Sequence, residues 1–206
     1  MMERSSRFIS LSGLSGVSAG ICAIIGAFIA HIWLVEFRLG SIGDSIDIGR
    51  EYNGRSLHGS GADLRELQFK LVALAMAVLV AALATSTWFT WRKARKSKLP
   101  IWDVASKKLA INMTIPLAAG GFFVLALIHY SDWVYVAPAC LIFYGLALVN
   151  ASKFTLTDIR YLGLLEVALG CVSMYYPHEG LYFWAAGFGV LHIIYGLIMW
   201  WKYERP

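Results

Sequence analysis

Residues 8–35 read FISLSGLSGVSAGICAIIGAFIAHIWLV, a run without a single Asp, Glu, Lys or Arg. About 20 apolar residues in helical form cross the roughly 30 Å hydrocarbon core of a bilayer. This run is longer than that, and too long for the apolar core of a signal peptide. It predicts a membrane-spanning helix. Similar runs follow at about residues 67–91, 109–129, 133–149, 161–176 and 181–201. None alternates in polarity as a barrel strand would, so all are read as helices. Composition agrees: 58% of the 206 residues are hydrophobic, 15% are charged and the mean hydropathy is +0.61. A water-soluble domain of this size exposes far more charge. The expected fold class is all-α: a polytopic integral membrane protein, residues 1–206 forming one membrane domain of six helices in three hairpins.

Six spans place both termini on one side. That side carries thirteen basic residues, among them Arg4 and Arg7, the cluster Arg92, Lys93, Arg95, Lys96, Lys98, Lys107 and Lys108, and Lys202 and Arg205. The other side carries five: Arg38, Arg50, Arg55, Arg65 and Lys70. The excess of Lys and Arg marks the cytoplasmic face, so both termini are expected there. The same rule, with attraction to anionic headgroups, accounts for the basic cluster and for the net charge of +5 without nucleic acid. Tryptophans give an independent check. Trp33, Trp133 and Trp184 fall at outer span ends, and Trp88, Trp91, Trp102, Trp200 and Trp201 at or near inner ends, the two belts an amphipathic indole prefers.

One long connection, about residues 36–61, is expected outside. It is rich in glycine, partly acidic, and lacks the regular ligand spacing of a calcium loop. The first span bears a stripe of small residues, Ser12, Gly16, Gly20, Ala23, Ala27 and Ala30. Such a face lets a second helix backbone come close. It is read as packing against the chain's own helices, with a homo-oligomer or another membrane protein as the other possible partner. Pro116 and Pro138 are expected to bend the third and fourth spans. Cys22, Cys140 and Cys171 lie in apolar runs and are read as packing residues.

The last four spans look duplicated. Each half has a helix, a tight turn and a return helix, and the return helices share Tyr144-Gly145-Leu146 and Tyr195-Gly196-Leu197. The stretch Tyr161-Leu-Gly-Leu-Leu-Glu-Val-Ala-Leu-Gly170, with Pro177, Gly187-Phe-Gly189 and Tyr195-Gly196-Leu197, resembles a hairpin of the HdeD-like acid-resistance membrane family. The whole chain also resembles uncharacterised small bacterial membrane proteins. These resemblances imply six helices and a bacterial inner-membrane location; they carry over no active-site residue.

Glu166 is the one acidic residue deep inside a span. A carboxylate there costs roughly 2.5–3.5 kcal/mol on insertion scales, so it is expected to face protein or water. With the last turn near His178–Glu179, Glu166 lies about 12 residues before it and His192 about 13 after. At about 1.5 Å per residue both sit some 20 Å below the outer surface. Glu166 and His192 are therefore the candidate buried polar pair. Two readings stand open: a structural pair that fixes hairpin packing, or a proton-responsive or ligand-binding site, since an imidazole beside a carboxylate changes charge near neutral pH. Asn112 and Asn150, near inner span ends, are assigned to helix ends and interhelical hydrogen bonds.

His31, His58, His129 and His178 all map to the outer side. Imidazoles with Glu36, Asp132 and Glu179 would suit zinc, nickel or copper, but no pair has the spacing of a helix-borne metal motif, and no metal ligand or cofactor is assigned. Gly13-Leu-Ser15-Gly16 resembles the Gly-x-Ser-Gly of rhomboid intramembrane proteases, with His192 in a sixth span. The rhomboid serine lies in the fourth span and opens outward, whereas Ser15 is near the cytoplasm, so no catalytic residue is assigned. The expected role is non-enzymatic: a structural, stress-response or regulatory membrane component. The alternative is a small-molecule or proton-coupled transport or binding protein using Glu166 and His192; an intramembrane hydrolase is the remote third.

Overall fold

The computed structural model describes residues 13–47, 61–96, 104–156 and 158–203. All regular structure among them is helical: α1 (Gly13–Asp47), α2 (Gly61–Lys96), α3 (Val104–His129), α4 (Val136–Ala151), α5 (Asp158–Ser173) and α6 (residues 180–203). Five stretches are long and apolar enough to cross a membrane: Gly13–Gly40, Asp63–Arg95, Ser106–His129, Trp133–Phe154 and Pro177–Tyr203. The one helix not among them, α5, has 16 residues. It is about 24 Å long and shorter than the hydrocarbon core it was expected to span.

Helix α1 runs past Val35 to Asp47, and α2 begins at Gly61, so much of the segment expected to be loop is helical. The remainder of that segment lies outside the described residues. Pro116 stands inside α3. Pro138, expected to bend the fourth span, is instead the third residue of α4. A first-turn N–H has no helical acceptor, so proline there breaks nothing.

Neighbours in sequence run antiparallel. Ser86 Oγ donates to the Ser15 carbonyl at 3.2 Å between α2 and α1. Asn150 Nδ2 donates to the Asn112 carbonyl at 2.8 Å between α4 and α3. Lys202 Nζ and the Tyr203 hydroxyl donate to Asp158 Oδ2 at 2.9 and 2.7 Å between α6 and α5. Burial raises the Asp158 pKa, but these two bonds and the Lys202 charge outweigh it and hold the carboxyl below its ordinary value. The α3–α4 turn closes with Ser131 N–H to the Ile128 carbonyl and Asp132 N–H to the Leu127 carbonyl, with Ser131 left-handed at φ 65°.

The packing is not simply three hairpins side by side. Helix α1 lies between α2 and α6, and α4 lies between α3 and α5. Glycines set both close crossings. A Cβ on Gly145 would stand 2.6 Å from the Gly163 carbonyl oxygen, and one on Gly163 2.7 Å from that of Gly145. On the other side, a Cβ on Gly196 would meet the Val17 amide nitrogen at 2.6 Å, and one on Gly20 the Gly189 carbonyl at 2.7 Å. The small-residue stripe of α1 is thus covered by the chain's own α6, with Ala23, Ala27 and Ala30 buried. The two rows meet where α6 packs on α4 and α5.

Candidate functional site

The rows join at Glu166 of α5, His192 of α6 and Tyr144 of α4. Glu166 is fully buried, and its Oε1 stands 3.3 Å from His192 Nδ1. The depth arithmetic placed these residues level, and helical phase turns them towards each other. Their contact is electrostatic rather than a directed hydrogen bond. Nδ1 is 3.0 Å from the Gly187 carbonyl, and a carbonyl only accepts, so Nδ1 carries a proton and donates it there. On the far side of the ring, Nε2 is 2.8 Å from the Tyr144 hydroxyl. In the neutral ring the hydroxyl donates to Nε2; in the imidazolium the direction reverses.

The carbonyl that receives Nδ1 comes from an unusual backbone. Residues Ala185–Leu191 form a π-helical stretch within α6. The His192 backbone N–H turns to the Gly189 carbonyl while its ring takes that of Gly187. Such bulges redirect side chains and carbonyls within a helix. Gly187 also leaves the room that Glu166 fills, because a Cβ there would lie 2.5 Å from Glu166 Oε2 and against Leu141. Neither Glu166 oxygen has a hydrogen-bond partner among the described residues. With one shared proton the pair carries no net charge, either as carboxylic acid with imidazole or as carboxylate with imidazolium, the two arrangements compatible with so dry a place.

His192 and Tyr144 form one wall of a cavity of about 160 Å³ between the two rows. It extends towards the end of the bundle where α1 starts and α6 finishes, past Leu148, Leu162 and Met199. Ser15 lines the same cavity, but both nitrogens of the His192 ring are engaged, by Tyr144 and Gly187. Tyr144 was missed as a site residue. Its signal lay in the repeated Tyr-Gly-Leu, where Gly145 brings α4 tight onto α5 and leaves the preceding tyrosine beside Glu166.

The outer histidines that are described do not assemble into a metal site. His58 lies outside the described residues; His31 neighbours Tyr182 with ring centroids 5.9 Å apart, and His129 neighbours Tyr130 at 5.0 Å. Among the described residues no three His, Cys, Asp or Glu side chains come together as a metal site. Compared with protein-family models, curated proteins and solved structures, the chain matches none. The hairpin resemblance therefore rests on its quoted residues alone.

Proposed function

We propose that this chain is a bacterial inner-membrane protein of six spans, both termini cytoplasmic, that binds a small molecule inside the membrane without transforming it. The observation that carries this reading is the cavity, with His192 and Tyr144 in its wall and fully buried Glu166 behind the imidazole. A purely structural pair needs no adjoining space. Here the pair is coupled through one ring to a volume comparable with the roughly 150 Å³ that holds benzene in an engineered protein cavity. The 16-residue α5 is counted in this reading as the sixth span.

The second reading, a structural or stress-response component, is favoured by the glycine crossings, which spend the small-residue faces on internal packing. Native mass spectrometry of protein extracted gently from its own membrane separates the two. The expected result is a stoichiometric small-molecule adduct that is lost in His192→Gln while the helical circular dichroism is retained. A bare mass in the wild type, or an adduct indifferent to His192→Gln, overturns the binding reading in favour of the structural one.

A further inference from the structure

A second concave surface lies on α2. Val80, Leu83, Ala84, Thr87, Trp88 and Trp91 line a groove along the helix and share no residue with the cavity lining. Helix α2 meets α1 through Val78, which stands against Gly26, and through Ser86, which is bonded to Ser15. With about 3.6 residues per turn, the groove falls on the other side of the helix. Among the described residues α1 is the only helix in extended contact with α2, and Val80, Leu83 and Trp88 of the groove are exposed.

The groove has the length of one lipid leaflet. Val80 and Trp91 are about 16 Å apart along the helix, against about 15 Å for half of the hydrocarbon core. Trp88 and Trp91, with ring centroids 5.7 Å apart, close it at the level where tryptophan prefers to sit. About 6 Å further along the helix, the Arg95 guanidinium lies over the Trp91 ring, 4.0 Å from its centroid. A guanidinium stacked by its face keeps its N–H groups at its edge, where two phosphate oxygens can accept them. The charge along this end of α2 has one sign. Arg92, Lys93 and Lys96 adjoin Arg95 in sequence, and no acidic residue stands between Glu66 and Asp103.

That charge chooses between occupants. A second copy inserted in the same orientation would bring its own Arg95 and neighbours against these, like charge on like. A lipid with a cationic choline would set an ammonium beside the cluster. An anionic phospholipid sets only negative charge there, and its chain lies on an apolar surface. We propose that the groove holds one anionic phospholipid of the leaflet at the basic end, its acyl chain along Val80 to Trp91 and its phosphate on Arg95. In the topology proposed above this is the cytoplasmic leaflet, which carries anionic lipid.

The test is native mass spectrometry of the full chain in detergent, titrated with phosphatidylglycerol or with phosphatidylcholine of the same acyl chains. The first phosphatidylglycerol should bind severalfold tighter than the first phosphatidylcholine. Arg95→Gln should weaken it about 5-fold, the contribution of one basic residue near a membrane surface. Arg160→Gln removes the same group from an exposed position on α5 at the same end of the bundle, and should leave the affinity unchanged. Ala84→Trp fills the groove from an exposed position and should weaken both lipids while the helical circular dichroism is retained. Equal affinity for the two lipids, or full affinity in Arg95→Gln, overturns the anionic site. Equal losses in Arg95→Gln and Arg160→Gln overturn it in favour of attraction by the basic end as a whole, and full affinity in Ala84→Trp removes the groove from it. A dimer that Ala84→Trp dissolves, without retained lipid, gives the face to a second copy instead.

Discussion

Glu166 owes its tolerability to one neighbour. A carboxyl group with no donor and no solvent depends on the imidazole 3.3 Å away, and that imidazole depends on Gly187 and Tyr144 for its orientation. Groups joined in this way act as a unit, and their deletions do not add. Glu166→Gln and His192→Gln should each destabilise the protein. The double variant should cost less than the sum of the two, with a coupling of about 0.5–3 kcal/mol, read from unfolding in mixed micelles. Strict additivity would mean that the side chains sit near each other without interacting. Much of this pair was legible beforehand, because helical rise is regular and a tight turn gives both residues a common origin for measuring depth. Tyr144 was not legible by the same arithmetic. It belongs to another hairpin, and its approach depends on which helices become neighbours, which no count along a single hairpin reveals.

Elements were legible wherever the bilayer imposes a rule and obscure where it does not. Apolar runs located all six helices, since burying backbone in hydrocarbon demands intrasegment hydrogen bonds. The continuation of α1 through residues 36–47 was hidden because glycines and charges outside hydrocarbon look alike in helix and loop. The packing order was hidden too, although the glycines that encode it were in view. Gly145 makes the point testable. A methyl group there would enter the space of the Gly163 carbonyl and Val167, whereas one on Gly121 of α3 would meet nothing within 4 Å. Gly145→Ala should therefore cost about 1–3 kcal/mol by overpacking. Gly121→Ala should be neutral or stabilise by up to about 1 kcal/mol, because alanine loses less entropy than glycine in a helix. Thermal unfolding of the two variants side by side checks this. Equal effects would show that helix propensity, not close approach, governs both positions.

At the scale of the whole molecule, one end of the bundle gathers the start of α1, the end of α2, the start of α3, the end of α4, the start of α5 and the end of α6. The polar ties Ser86–Ser15, Asn150–Asn112 and the Asp158–Lys202–Tyr203 clamp all lie towards this end. Among the described residues it is also the basic end, with nine Lys and Arg against three opposite; the expected topology raises this to thirteen against five over the whole sequence. Insertion reads that asymmetry before the bundle packs, so orientation depends on charge in short loops rather than on later contacts. Seven of the thirteen fall in the single α2–α3 connection and its flanks: Arg92, Lys93, Arg95, Lys96, Lys98, Lys107 and Lys108. A green-fluorescent-protein fusion at the C-terminus should fluoresce and an alkaline-phosphatase fusion there should stay inactive, as a cytoplasmic terminus requires. Replacing those seven residues with glutamine leaves six basic residues against five, a difference too small to fix direction. That variant should insert in both orientations, giving partial signal from both fusions. A phosphatase-active wild-type fusion would invert the molecule and turn the cavity's basic end outward. A variant that keeps one orientation would instead show that the charge-free first span, not the basic cluster, sets the topology.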